Sequence, residues 1–338
     1  MKRILFYSSV NSLELFKTQK FYQIDISILK DLGYDVLLSN RIFDSLLFWK
    51  YDILFSYFYR YSFFAALLAK CFGKKTYFTG GIDSLDSDYA SAFNYKIQAL
   101  FFKLCYWVAD SCIIVSQSDL KNIFKVSSLK KKLSYSEHVI NTKLFIADVP
   151  KEKIFTSIVW MGDEGNVVRK GVDKALQIFA ELKKIPEFVD YRFVIIGRKG
   201  EGEVLVRSII DKYNLKGSVE LKREESEEDK INLLKQSKYY FQLSLYEGFG
   251  LAALEALCAN NIIIHSGKGG LANPIYKEQL LFDIDNDFDS ELLKLVNKLA
   301  CFTPITSYDN LLEYYDIQRR KDDFEAIIVN GKSNYKLK

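Results

Sequence analysis

Short β-branched or apolar runs alternate along this chain with stretches of helical periodicity, and that pattern admits few folds. The runs fall at residues 4–7, 35–38, 53–55, 76–79 and 112–115, with helical spacing between them as at 63–72 and 97–108. The pattern restarts at 157–161 and continues at 193–196, 219–221, 240–243 and 262–264, with helical stretches at 172–182 and 230–236. Strands that alternate with helices join as right-handed crossovers into parallel sheets covered by helices. Between the two series, around residues 148–153, Pro150 and flanking charges interrupt both periodicities. At 338 residues, two domains of ordinary size are expected. The expected fold class is α/β, with two Rossmann-like domains facing across a cleft: residues 1–150, then 151–306. Residues 307–338 read as a helix over 307–329 that packs back toward the first domain, followed by a disordered Lys-rich tail.

Composition excludes several classes. Lys+Arg 47 against Asp+Glu 43 is too small an excess to mark a nucleic-acid binder, and 49% hydrophobic residues with four prolines exclude disorder. Five cysteines, Cys71, Cys105, Cys112, Cys258 and Cys301, are odd in number and contain no C-x-x-C pair, which points to neither a disulfide framework nor a zinc site but to a reducing cytoplasm. Lys50, Asp52, Arg60 and Lys70 interrupt the greasiest region, so no membrane span is expected, and the start shows no cleavage pattern of a signal peptide.

The two halves differ. Residues 1–150 hold 19 Lys/Arg against 13 Asp/Glu and 30 of the 51 aromatic residues, dense from Phe48 to Phe64, whereas residues 151–338 are near neutral. Most of these aromatics are expected in a core. A surface of basic and aromatic residues that rests on an anionic membrane is the sharper reading, with Lys121, Lys125 and the run Lys130, Lys131, Lys132 contributing.

The strongest local signal is residues 244–257, SLYEGFGLAALEAL, following the run at 240–243. Strand, glycine-bearing turn and helix N-terminus suit a phosphate, because the first helical turn presents unpaired N–H groups and a partial positive charge of about half a unit. Gly248 and Gly250 let the backbone approach closely. Glu247 precedes the helix and Glu255 lies within it, at most about 12 Å away at a rise of about 1.5 Å per residue. The pair therefore reaches hydroxyls on either side of a diphosphate, and a nucleotide sugar carries such hydroxyls on its sugar and its ribose.

Glu247, seven intervening residues and Glu255, set in that string, resemble the signature of the GT-B glycosyltransferases of family four, the glycosyl transferases group 1 type. Residues 169–173, RKGVD, are similar to the family's K-G-V-D helix opening, 194–197 to its next strand and turn, and 268–271 to its later glycine pair. Weaker likenesses lie at 115–118 and 141–145. The resemblance implies retaining transfer of a sugar from a nucleotide-diphosphate donor to a hydroxyl of a glycan or lipid-linked acceptor, with no metal and no other cofactor, in surface polysaccharide or glycoconjugate synthesis. It implies that Glu247 contacts the donor sugar, Glu255 the ribose and Lys170 the diphosphate, with Arg169 beside it. Gly197, Arg198, Ser244, Gly248, Phe249, Gly250 and Leu251 complete the expected donor site, and Leu221 and Lys222 are placed at the nucleotide base.

The sequence departs from the family pattern in three places. Gly162 is followed by Asp163 and Glu164 where an arginine is usual, so Arg169 is the expected substitute. Residues 80–83 read GGID where a His-Gly-x-Asp string is usual, which leaves Asp83 as the candidate for orienting or deprotonating the acceptor. Residues 8–12, SSVNS, replace a glycine-rich loop. His138 and His265, the only histidines, lack ligand spacing, and the acids at 86–88 and 283–285 are read as loop residues rather than metal ligands. An alternative that the same residues allow is a non-catalytic GT-B subunit binding a nucleotide sugar or a partner. A nicotinamide enzyme is disfavoured because no G-x-G-x-x-G follows the first run. The expected location is the cytoplasm, at the inner face of the membrane if the basic aromatic surface docks there.

Overall fold

The computed structural model describes residues 1–146, 149–223, 225–302 and 309–332. The chain divides into two compact units, Met1–Ile140 with Tyr314–Lys338, and Asn141–Glu313. Each is built on a six-stranded sheet in which every described pairing is parallel.

In the first unit the strands are β1 (Arg3–Ser8), β2 (Asp35–Ser39), β3 (Ile53–Tyr57), β4 (Lys75–Thr79), β5 (Ser111–Ile114) and β6 (Leu133–Tyr135), in the spatial order β2-β1-β3-β4-β5-β6. The helices between them are α1 (Leu15–Thr18), α2 (Lys20–Asp31), α3 (Ser62–Cys71), α4 (Ala92–Val108) and α5 (Gln117–Val126). Strand β3 is central and buried at every position, which is why ILFSY reads as a continuous apolar run rather than an alternation. On one face of the sheet, Ala65, Ala66 and Ala69 of α3, Phe102 and Cys105 of α4 and Ile123 of α5 share a core with Leu5, Leu54 and Phe78. On the other, Tyr22, Ile28 and Leu29 of α2 pack with Phe6, Phe55 and Tyr57.

In the second unit β7 (Glu152–Ile158), β8 (Arg192–Gly197), β9 (Val219–Arg223), β10 (Ser237–Gln242), β11 (Ile262–His265) and β12 (Leu280–Leu281) lie in the order β12-β11-β10-β7-β8-β9. Its helices are α6 (Glu164–Arg169), α7 (Val172–Leu182), α8 (Gly202–Lys212), α9 (Glu227–Gln236), α10 (Leu251–Cys258) and α11 (Phe288–Cys301), and α12 (Asp309–Tyr314) leads out of it. Leu176, Phe179, Val206 and Leu295 cover one sheet face around Phe155, Phe193 and Phe241.

The end of the chain is not one helix. After α12 comes α13 (Ile317–Phe324), which runs into a π turn at Glu325–Val329. Tyr315 and Asp316 intervene: Ile140 N donates to Tyr315 O at 3.0 Å, Ile140 bridges to Asp316, and Asp316 caps α13 by accepting from the Gln318 N–H at 3.0 Å. In the first unit α13 lies on α2, with Phe324, Ile327 and Ile328 in the α2 core. The anchor is Arg320, fully buried, whose Nε and Nη2 reach the two carboxylate oxygens of Asp25 at 2.7 and 2.8 Å. The expected disordered tail at 333–338 lies outside the described residues, as do residues 307 and 308 of the expected helix.

Strand β7 begins and ends before the expected 157–161. Ile154 and Phe155 pair with Arg192 and Phe193, while Val159 N and Met161 N still reach Ile196 O and Arg198 O at 2.8 and 3.3 Å, so the pairing continues past the regular strand. The dense aromatic segment is split by position. Tyr51, Phe55, Tyr57 and Tyr59 are buried, whereas Trp49, Tyr61 and Phe64 are 59, 53 and 43% exposed.

Candidate functional site

The site is built where β10 ends. Along this strand, side chains two apart share a face, so Tyr240, Gln242 and Ser244 line up. The Tyr240 hydroxyl donates to Gln242 Oε1 at 3.1 Å, and Gln242 Nε2 donates to Ser244 Oγ at 2.8 Å. Both then converge on one carboxylate oxygen: Glu247 Oε1 accepts from Gln242 Nε2 and from Ser244 Oγ, each at 2.8 Å. A third donor is the ammonium of Lys170, at 2.5 Å from the same oxygen. Glu247 is 9% exposed, so its charge is held by three donors in a largely dry setting.

Glycines set this geometry. Lys170 ends α6 and Gly171 opens α7 at φ 68, a left-handed conformation that costs other residues dearly. A Cβ on Gly171 would lie 2.0 Å from Leu243 O, and Leu245 N donates to Arg169 O at 2.8 Å, so the α6–α7 joint is clamped onto the end of β10. The turn after Glu247 is held from the other side. Gly270 N donates to Glu247 O at 2.6 Å, and Cβ atoms at Gly269 and Gly270 would fall 2.2 Å from Glu247 O and 2.5 Å from Phe249 Cα.

Helix α10 opens at Leu251 after Gly250, itself at φ 88, and its first i to i−4 bond is Leu254 N to Gly250 O. The N–H groups of Leu251, Ala252 and Ala253 therefore have no acceptor within the helix, an arrangement whose partial positive charge favours an anion. One turn on, buried Glu255 receives Lys230 Nζ on Oε2 at 2.8 Å, and Lys230 also pairs with Glu227 at 2.7 Å. Burial alone would lower the Lys230 pKa, but the two carboxylates outweigh it and hold the group above its ordinary value.

The other expected residues lie on further elements of the two units. Arg169 Nη2 donates to Asn166 Oδ1 at 2.7 Å, which keeps the guanidinium on α6 beside Lys170. Gly197 and Arg198 lie at the end of β8; a Cβ at Gly197 would sit 1.7 Å from Val159 O, so only glycine fits there. On the neighbouring strand Leu221 and Lys222 pair with Ile195 and Ile196. Asp83 belongs to the first unit, where it opens a turn at Asp83–Leu85 behind Gly80, and Asp119 Oδ1 accepts from Ile82 N at 3.3 Å. Gln242 and Lys230 are the residues the sequence reading missed. The period-two polar run at 240, 242 and 244 signals Gln242, whereas nothing in sequence links Lys230 to Glu255.

The histidines are structural in their surroundings. His265 is buried at the end of β11, its Nδ1 accepts from Gly267 N at 3.2 Å, and burial pushes its pKa down to about 4. Burial also drives His138 well below its ordinary value, with Arg320 and Arg319 adding to the effect. Asp86 Oδ1 accepts from the N–H groups of Asp88 and Tyr89, and Asp283 Oδ1 from that of Asp285, while Asp285 pairs with Lys268. Both acid pairs thus order their own loops. Among the described residues no group of three His, Cys, Asp or Glu side chains is placed to hold a metal ion. All five cysteines are free thiols.

This arrangement can be set beside known proteins. Residues 165–299 match the family described as glycosyl transferases group 1. The chain is 32% identical over 163 residues to a GDP-mannose:cellobiosyl-diphosphopolyprenol alpha-mannosyltransferase of Xanthomonas oryzae pv. oryzae, covering 42% of this chain and 40% of that one. It is 34% identical over 101 residues to the protein of the same description from Xanthomonas campestris, covering 29% of this chain and 26% of that one. The chain thus matches less than half the length of either relative. Among solved structures it is similar to HepE of Anabaena in complex with UDP and glucose, with TM-score 0.73, 11% identity and 98 and 100% of the two chains covered. It is also similar to the sucrose-phosphate synthase of Thermosynechococcus elongatus, with TM-score 0.66, 16% identity and 98 and 97% covered. At such identities these structures establish the fold, two Rossmann-like α/β units of the GT-B type.

Proposed function

We propose that this protein is a retaining, metal-independent glycosyltransferase that moves a sugar from a nucleotide-diphosphate donor to a hydroxyl of a glycan or lipid-linked acceptor. The observation that carries the reading is the meeting of Lys170 and Glu247 at 2.5 Å beside the open N-terminus of α10. An ammonium has three donors, so one given to Glu247 leaves others for a diphosphate. As the bond from the anomeric carbon to the diphosphate oxygen breaks, that oxygen gains charge. Lys170 and the N–H groups of Leu251, Ala252 and Ala253 stabilise it more in the transition state than in the ground state. The acceptor hydroxyl oxygen bonds to the anomeric carbon on the face the diphosphate leaves, and its proton passes to the departing oxygen. Glu247 orients the donor sugar, Glu255 accepts from the ribose hydroxyls, and Asp83 orients the acceptor hydroxyl. The Lys170 ammonium and the N–H groups that open α10 support the metal-independent reading, because they supply positive charge for a diphosphate without a metal cation.

GDP-mannose is the donor to try first, because two relatives are described as using it. The test is transfer to a polyprenyl-diphosphate-linked oligosaccharide in the presence of EDTA, with the anomeric configuration of the product read by NMR. Acceptor-dependent release of the nucleoside diphosphate, undiminished by EDTA and giving the donor's own configuration, is the expected result. Release that needs a divalent metal, or an inverted product, overturns the corresponding part of the reading. No release across GDP-, UDP- and ADP-sugars removes the transferase assignment.

A further inference from the structure

Helix α4 carries an apolar stripe on its outer side. Phe93, Leu100 and Trp107 are 72, 55 and 69% exposed and recur every seven residues, which is two turns, so they stand in one row. Lys96 and Lys103 repeat at the same interval and are exposed beside it. The inner side of the same helix, Phe102, Cys105 and Tyr106, is spent on the sheet core. Stability of the first unit therefore does not explain the outer row.

The surroundings are basic. No acidic residue occurs from 89 to 109, and residues 62–132 hold ten lysines against five aspartates and no glutamate. The run at 130–132 meets the C-terminal end of α4 through Lys132, whose Nζ donates to Trp107 O at 2.8 Å, while Lys130 lies 4.7 Å over the Phe124 ring of α5. On α4 itself, the Phe101 ring lies 6.1 Å from that of Phe64 on α3, which is 43% exposed and widens the apolar row.

From this arrangement we infer that the outer face of α4 is a docking surface for an anionic lipid bilayer. Aromatic and aliphatic side chains flanked by lysines on a helix lying in the interface plane gain from apolar insertion and from anionic headgroups together. A second copy of this chain fits less well, because its own lysines would face these across the contact. The inference stands apart from the donor chemistry, since none of the stripe residues belongs to the candidate site.

The experiment is vesicle flotation of the full chain with phosphatidylglycerol–phosphatidylcholine vesicles and with phosphatidylcholine alone, at low and high salt. The wild type is expected to float with the anionic vesicles and to be released by salt. The triple variant Phe93→Ser, Leu100→Ser, Trp107→Ser should lose at least tenfold in partitioning, and Lys96→Gln with Lys103→Gln several-fold. Both should keep the wild-type thermal midpoint and nucleotide affinity, which separates failure of the surface from failure of the donor site. Equal flotation of the triple variant, no flotation of the wild type, or a wild-type dimer that the triple variant dissolves without any lipid binding would each overturn the inference.

Discussion

Glu247 and Glu255 differ in what holds them, and the difference sets what their removal should do. Glu247 is fixed by Lys170, Ser244 and Gln242, whereas Glu255 meets Lys230 across from α9. On the proposed roles, Glu255→Ala should weaken nucleoside-diphosphate affinity by about 1–3 kcal/mol through the lost ribose contact. Lys170→Ala should instead lower turnover roughly a hundredfold with a smaller change in donor affinity, because its charge matters most as the leaving group departs. Steady-state kinetics with a calorimetric titration separate the two; unchanged parameters in either variant remove that residue from the site. His265 gives a pH signature. Its folded pKa of about 4 lies below the ordinary 6.5, so the unfolded chain takes up its proton first and the stability held above pH 6.5 is lost as pH falls toward 4. His265→Asn, which keeps an acceptor for Gly267 N, should flatten the denaturation free energy between pH 7 and pH 5 by about 2 kcal/mol. An unchanged slope would refute the buried neutral imidazole.

At the scale of elements, what was legible in the sequence is what local periodicity encodes. The central strands and α7 announce themselves because burial on both faces, or on one helical stripe, leaves an unbroken pattern; α7 occupies the expected 172–182. Strands β6 and β12 carry three and two residues at sheet edges, too few for a period to show. The break between α12 and α13 was also hidden, since it falls where Ile140, far away in the chain, donates to Tyr315 O and bridges to Asp316. The same holds for Arg320 and Asp25, 295 residues apart. Arg320→Met leaves the Asp25 carboxylate buried without its ion pair and should cost roughly 3–5 kcal/mol in chemical denaturation. A loss below about 1 kcal/mol would show that α13 does not depend on this pair. In the second unit, Gly171→Ala meets both a positive φ and Leu243 O, and should lower stability and donor affinity together by shifting Lys170 away from Glu247. A wild-type melting curve and titration for that variant would show that the α6–α7 joint tolerates a side chain.

For the whole molecule, the string around Glu247 and Glu255 made the second unit's class readable, because a strand, a glycine turn and a helix N-terminus are all local features. The partners of those carboxylates, Lys170 from 77 residues away and Lys230 from 25, required the fold. The first unit was read mainly through composition, which marked it as basic and aromatic without separating Tyr57 in the core from Trp107 at the surface. Central to the proposed function is that the second unit seats a nucleoside diphosphate without a metal. Calorimetric titration of the full chain with GDP, UDP and ADP in EDTA tests this directly, on the wild type and on Glu255→Ala. Saturable binding of one of the three, weakened about ten- to a hundredfold by the substitution, is the predicted result. No binding of any of them, or equal affinity in the variant, would contradict it.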